Sequence, residues 1–223
     1  MSKGAIVLFS GGMDSTVCLL KAMKDHRKVI ALTFHYGQRH WKEISCARIV
    51  CKKLRVKNVL LSLPTWCSSR VALVSPRLSI LGRNSRGLQK AFVPCRNVLF
   101  LTYAASMAYE QGWHYVYSGV CELGTGVYPD CRGNVISKLG TVLTKALKWN
   151  ITLLTPLLKT SKECAIYMGN QMASDFGLDG NFWGLTYSCL HGGNSPCKRC
   201  SACRLRRAGF RAARLKDPLV DNN

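Results

Sequence analysis

Ala5-Ile6-Val7-Leu8-Phe9-Ser10-Gly11-Gly12-Met13-Asp14-Ser15-Thr16 is the stretch on which the fold turns. Five apolar residues in a row are too few for a helix of ordinary length, and a glycine pair stops them. From residue 16 to 23 apolar positions recur at helical spacing, so the order is strand, glycine-rich turn, helix. Working outward, residues 29–34 and 59–63 predict two more strands, with an amphipathic helix over 43–54 between them. Residues 97–110, 135–147 and 162–176 predict helices, and 115–118 and 151–154 predict strands. Strands alternating with helices imply an α/β chain with a doubly wound parallel sheet. Residues 64–94, with three prolines and a weak strand-like patch at 71–74, predict a long mobile or functional loop. A glycine- and cysteine-rich knuckle and a basic helix over about 202–215 complete the chain, which suggests units at 1–185 and 186–223.

The turn itself carries chemistry. Gly11 and Gly12 let the backbone come close to a phosphate, and the amides that follow converge on an anion at the helix start. Ser10 and Ser15 add hydroxyls, and Asp14 suits the Mg²⁺ that accompanies a nucleotide. No Lys follows, so this is not the Gly-x4-Gly-Lys-Ser/Thr loop. An ordinary helix cap by Ser10 or Asp14 is the alternative. The six residues from Ser10 to Ser15 resemble the Ser-Gly-Gly-x-Asp-Ser signature of the PP-loop ATP pyrophosphatases, which adenylate a substrate and release pyrophosphate.

Twelve cysteines occur in the 223 residues. With no secretory signal they point to free thiols or a metal site in a reducing compartment. Cys18, Cys46, Cys51, Cys67, Cys95, Cys121, Cys131 and Cys164 are scattered, and most of them are expected in or near the core. Cys189-x7-Cys197-x2-Cys200-x2-Cys203 is different: its spacing brings four thiolates to one turn. They would saturate a structural Zn²⁺. An iron-sulfur cluster is the rival occupant and His191 a nearby alternative ligand.

Thirty-two Lys and Arg against eleven Asp and Glu give a net charge of +21. An anionic partner is implied, with nucleic acid the direct reading and a compositional bias spread over all faces the competing one. The densest segment, residues 198–216, holds eight basic residues and no acid. The longest apolar runs are far too short to cross a bilayer, so no membrane span and a cytoplasmic location are expected.

Several further motifs occur in order along nearly the whole chain. They are Tyr36-Gly37-Gln38-Arg39-His40, Phe92-Val93-Pro94-x-Arg96-Asn97, Gly119-Val120-Cys121-Glu122, Tyr128-Pro129-Asp130-Cys131-Arg132, and Thr155-Pro156-Leu157 with Lys162. With the Ser10–Ser15 loop and the knuckle, they resemble the 7-cyano-7-deazaguanine synthase family. The resemblance implies an ATP-dependent carbon-nitrogen ligase of queuosine biosynthesis that turns 7-carboxy-7-deazaguanine and ammonia into the nitrile. It also implies structural zinc and a homodimer. Leu8, Phe9, Ser10, Gly11, Gly12, Met13, Asp14, Ser15, Thr16, Val17 and Cys18 would form the ATP stretch. Asp14, Arg39, Arg96 and Lys162 are the implied catalytic residues, and Asn97, Glu122, Tyr128 and Asp130 the implied substrate contacts. The chain departs from the family pattern at Cys95, where glycine is usual, at His35, where Asp is common, and over residues 123–127. A positive φ at residue 95 would strain a side chain there. A PP-loop enzyme acting on tRNA and a decayed or non-catalytic zinc-knuckle nucleic-acid binder are the competing functions.

Overall fold

The computed structural model describes residues 4–64, 71–123 and 128–220. Five strands form one parallel sheet: β1 (Ala5–Leu8), β2 (Val29–His35), β3 (Lys57–Ser62), β4 (Tyr115–Tyr117) and β5 (Thr152–Leu154), in the order β3-β2-β1-β4-β5. Six helices connect and cover them: α1 (Met13–Asp25), α2 (Lys42–Leu54), α3 (Arg96–Glu110), α4 (Gly133–Leu147), α5 (Lys162–Asp175) and α6 (Ser201–Ala212). The expected doubly wound α/β architecture is therefore present.

Alternation along β1 sorts the two layers. Ala5, Val7 and Phe9 pack with α1, α2, α5 and Phe210 of α6. Ile6 packs on the other side with Leu101, Ala104 and Ala105 of α3 and with Ile136 and Leu143 of α4. Both faces are covered, so the strands are nearly continuous apolar runs rather than half-polar ones. Strand order reverses at β1, whose neighbours β2 and β4 are reached by crossovers on opposite faces. A crevice opens there, beyond the carboxyl ends of β1 and β4.

One expectation needs correction. Residues 71–74 form a turn, with the Val74 and Ser75 amides both donating to the Val71 carbonyl at 3.0 and 2.9 Å, so the β-branched run has no strand to pair with. Of the scattered cysteines, Cys18, Cys46, Cys51 and Cys131 are buried, Cys121 is half-buried, Cys95 and Cys164 are exposed, and Cys67 lies outside the described residues. Among the described residues no helix is long and apolar enough to cross a membrane.

A buried ion pair ties α6 to the C-terminal turn. Arg206 of α6 is 2% exposed. Its Nε and Nη2 donate to the two carboxylate oxygens of Asp217 at 2.7 and 2.8 Å. The same guanidinium donates to the Thr186 hydroxyl at 2.7 Å and the Trp183 carbonyl at 2.9 Å. One side chain thus joins α6, the 3-10 turn Gly180–Leu185 and the C-terminal turn. The fork satisfies each partner, which a buried charge requires.

Candidate nucleotide and metal sites

The loop between β1 and α1 forms the floor of a cavity of about 620 Å³ at the crevice. Gly11 has φ +84°, and a Cβ there would stand 2.3 Å from the Glu43 carbonyl oxygen and 2.5 Å from the Ala47 nitrogen. Only glycine lets the loop lie this close to α2. The Gly12 amide donates to Ser10 Oγ at 3.2 Å, and the Ser15 and Thr16 hydroxyls both donate to the Gly12 carbonyl at 2.9 Å. Ser10 Oγ and Ser15 Oγ lie 3.2 Å apart. These contacts fix the turn, and no side chain caps α1. The first amides of α1 lack helical acceptors, as at any helix start, which leaves positive dipole ends at the cavity floor.

Leu8, Phe9, Ser10, Gly12, Met13, Asp14 and Ser15 line this cavity. Thr16, Val17 and Cys18 of the expected nucleotide stretch are fully buried beneath it; they hold α1 against the sheet and have no surface to offer a ligand. Lys162, in the first turn of α5, reaches across to Asp14 with Nζ 2.6 and 2.7 Å from the two carboxylate oxygens. Its stem is held from behind. A Cβ on Gly209 of α6 would lie 2.5 Å from Lys162 Cγ, so glycine lets α6 press against it.

The opposite wall comes from α3 and the segment after β2. Arg96, Asn97, Tyr128 and Phe100 line it. Arg96 Nη1 donates to the Tyr36 hydroxyl at 3.1 Å, and Phe34 stacks on Phe100 with centroids 4.0 Å apart. Asn97 Nδ2 donates to Cys131 Sγ at 3.1 Å. Cys95, immediately before α3, has φ +55° and ψ +15°. The glycine-type backbone is retained with a side chain on it.

Three expected residues are placed elsewhere than in the lining. Arg39 Nη1 donates to the Leu78 carbonyl at 2.9 Å and fastens the loop over 71–94. Glu122 Oε2 accepts from the Gly133 amide at 3.0 Å, at the start of α4. Asp130, buried, accepts from the Asn97 amide at 3.0 Å, at the start of α3. Each carboxylate thus answers an orphan amide of a helix other than its own. Asp130 and Glu122 shape the wall without forming its surface. Residues 124–127 lie outside the described residues.

The sequence motif that includes Gln38 and His40 gave them no role, and Glu43 was not singled out, yet all three also line the cavity. The Glu43 side chain is 13% exposed, with Oε2 3.6 Å from His40 Nε2. Burial pushes the Glu43 carboxyl up to about 8, against the pull of the Arg96 guanidinium. Burial and the nearby Arg96 charge push His40 down to about 3. Both are neutral near pH 7, beside a loop suited to an anion. The only sequence signal was an acid in the first turn of an amphipathic helix, which helix electrostatics alone accounts for.

The second site lies behind α6. The sulfurs of Cys189, Cys197, Cys200 and Cys203 all fall within 4.8 Å of one another, with Cys197 and Cys203 Sγ 3.9 Å apart. A zinc tetrahedron with Zn–S bonds of about 2.3 Å has sulfur edges of about 3.8 Å, so the donor set fits such an ion. Amides of Cys197, Cys200 and Cys203 donate to the sulfurs of Cys189, Cys197 and Cys200 at 3.3, 3.3 and 3.5 Å. Hydrogen bonds from the Cys200 and Cys203 thiols hold the Cys189 thiol far below its ordinary range. Four thiolates leave no open position, so the cluster can chelate a metal but offers it no substrate. The knuckle is tied to the nucleotide loop through Tyr187. Its amide donates to the Gly11 carbonyl at 3.0 Å and its hydroxyl to the Gly193 carbonyl at 2.5 Å.

Residues 4–214 match the family described as Queuosine biosynthesis protein QueC. The chain is similar to the 7-cyano-7-deazaguanine synthase of Chromobacterium violaceum, 35% identical over 224 residues that cover 97% of this chain and 93% of that one. It is 36% identical to the synthase of Bacillus subtilis over 209 residues, covering 92% and 93%. Among solved structures, an NMN synthetase from Francisella tularensis aligns with a TM-score of 0.48 at 13% identity, covering 96% of this chain and 88% of that one. With the Ser10–Ser15 loop, the crevice above it and the four-cysteine cluster in place, this chain belongs to the QueC family of queuosine biosynthesis proteins, within the PP-loop ATP pyrophosphatase superfamily.

Proposed function

We infer that the protein converts 7-carboxy-7-deazaguanine and ammonia into 7-cyano-7-deazaguanine with two ATP; the relatives are named 7-cyano-7-deazaguanine synthase. The observation that carries this reading is one cavity flanked by the pyrophosphate-type loop on one side and by Arg96, Asn97 and Tyr128 on the other. Its volume lies in the range of small-molecule sites, roughly 300–1,000 Å³.

A carboxylate is a poor electrophile. Its oxygen attacks the α-phosphorus of ATP, the bond to the β-phosphate oxygen breaks, and pyrophosphate leaves. The amides at the start of α1 and the Ser10 and Ser15 hydroxyls receive that pyrophosphate. Ammonia then attacks the acyl adenylate, AMP departs with the electron pair of the C–O bond, and the nitrogen loses a proton to give the amide. A second ATP adenylates the amide oxygen; loss of AMP and the remaining N–H protons gives the nitrile. Lys162 is poised to leave Asp14 for the phosphates once nucleotide arrives, and Asp14 would then hold Mg²⁺, which neutralises phosphate charge. Arg96 faces the acyl side, where charge develops on oxygen. The stacked Phe34 and Phe100 and the Tyr128 ring offer apolar faces to the heterocycle. The cysteine cluster would hold zinc as a structural ion, outside the reaction. Residues 186–223 act as a knuckle packed on a catalytic unit of 1–185, and the active form is a homodimer.

The test is incubation of metal-loaded protein with ATP, Mg²⁺, ammonium and the deazaguanine acid, following AMP, pyrophosphate and product mass. Nitrile is expected, with Lys162→Ala and Arg96→Ala each slower by about 10²-fold or more, as for loss of a charge-stabilising donor. Folded protein that releases no pyrophosphate would overturn the reading, and amide as sole product would restrict it to the first activation.

A further inference from the structure

The exposed face of α6 has a charge pattern that the cavity lining does not include. Cys203, Arg206, Gly209 and Phe210 are its buried side. Arg204, Arg207 and Arg211 are exposed. Their i, i+3, i+7 spacing puts them on one stripe. Lys198 and Arg199 precede the helix and Arg214 follows it, all exposed. Among the described residues no carboxylate pairs with any of these six; Arg206, turned inward, takes Asp217. By contrast, Lys21 and Lys24 of α1 are matched by Asp25 and Asp175. The α6 face is therefore a concentration of basic charge with no carboxylate partner among the described residues.

We propose that this face binds a nucleic-acid strand through its phosphodiester backbone, without reading sequence. From Arg204 to Arg211 the helix rises about 10 Å at 1.5 Å per residue. One strand of a duplex carries about three phosphates over that length, at 3.4 Å each. Guanidinium forks match phosphate oxygens two at a time. An anionic membrane fits less well: surface-binding helices bury an apolar face in lipid, and the apolar face of α6 is already spent on α5 and the 3-10 turn. Leu205, 42% exposed, is the large apolar side chain it leaves outside. Ser201, Ala202 and Leu205 also form part of the cavity wall, so a strand on the basic face runs along the cavity rim. This inference stands whether or not the deazaguanine acid is the substrate.

The experiment is fluorescence anisotropy of labelled oligomers of about 20 nucleotides, titrated with metal-loaded full-length protein between about 50 and 200 mM salt. Single-stranded RNA, single-stranded DNA and duplex DNA are separate arms, and they settle which nucleic acid is preferred. Binding is expected to weaken steeply with salt. In R204Q/R207Q/R211Q the slope of log K against log salt should be shallower by about 2–3, since each lost phosphate contact removes about 0.7–0.9. Metal content and thermal melting verify its fold; if the triple variant is unstable, the single R207E is read the same way, with at least about tenfold weaker binding, as expected of two units of charge change near phosphates. A matched variant on the other layer, K138Q/K145Q/K148Q in and just after α4, should leave the slope unchanged. An equal loss in the α4 variant would show diffuse charge and overturn the assignment. So would the absence of binding at the lower salt, equal competition by polyglutamate, or binding confined to phosphatidylserine vesicles.

Discussion

The nucleotide crevice and the four-cysteine knuckle are each built on a turn that enters a helix, yet they are held in opposite ways. At the start of α1 no side chain caps the helix, and the loop is fixed by hydroxyls and by the approach of Gly11 to α2. Its amides are left pointing outward. At the start of α6 the Cys200 sulfur accepts from the Cys203 amide, and all four sulfurs converge inward. One turn keeps its polar groups for something that comes and goes; the other consumes them internally. The first should tolerate loss of single side chains as structure while failing as chemistry, and the second should do the reverse.

The largest test of that contrast is metal removal. Chelation, or Cys200→Ser, should lower the melting temperature by about 10 °C or more and expose residues 186–220 to protease, because structural metal binding is folding free energy. Ser10→Ala, which deletes one hydroxyl and its two partly exposed contacts, should shift melting by only a few degrees at about 1 kcal/mol. Equal shifts would erase the distinction. Next comes the latch: Arg206→Ala removes the guanidinium that answers the buried Asp217 carboxylate and should cost about 3–5 kcal/mol in chemical denaturation. A smaller loss would mean that the knuckle alone holds the C-terminal turn.

Glu43→Gln sharpens the description of the crevice through pH. The folded carboxyl titrates at about 8 against an ordinary 4.5, so the folded chain holds more protons than the unfolded one between those values. Wild-type stability contributed by this group therefore falls as pH rises through that window, and glutamine does not share the loss. The variant should gain on the wild type from pH 4.5 to 8 and differ by a constant amount below it. His40 titrates alike in both and cancels. A pH-independent difference in melting temperature would refute the burial argument. The smallest effect is at the rim. Cys95→Gly relieves a left-handed backbone, φ +55°, but loosens the unfolded chain. Net stabilisation of about 0.5–1 kcal/mol is expected, a shift of one to four degrees.

Local patterns were legible, and partners across the fold were not. The β1 run, glycine pair and α1 periodicity are contiguous, as is the cysteine spacing, so each motif constrains its own geometry. Lys162 and Asp14 are 148 positions apart, and their ion pair had to await packing of α5 on α1. Arg39 and Arg96 look alike as isolated arginines, but the Leu78 carbonyl claims one and the cavity the other. Glu122 and Asp130 read as substrate acceptors because an acid in a loop beyond a strand has no local partner. Their acceptors' work is for the amides of α4 and α3, whose starts lie elsewhere in sequence. Glu43 went unassigned for the opposite reason: a first-turn acid already has a local explanation.

Tyr187 gives the two turns a shared ledger. Its amide holds the Gly11 carbonyl and its hydroxyl holds Gly193, so one residue belongs to both the crevice and the knuckle. If metal in the knuckle orders Tyr187 and so raises nucleotide affinity, thermodynamic reciprocity requires nucleotide to raise metal affinity by the same factor. Nucleotide occupancy would then guard the cluster against chelators, and metal loss would first be felt as weakened ATP binding before any unfolding.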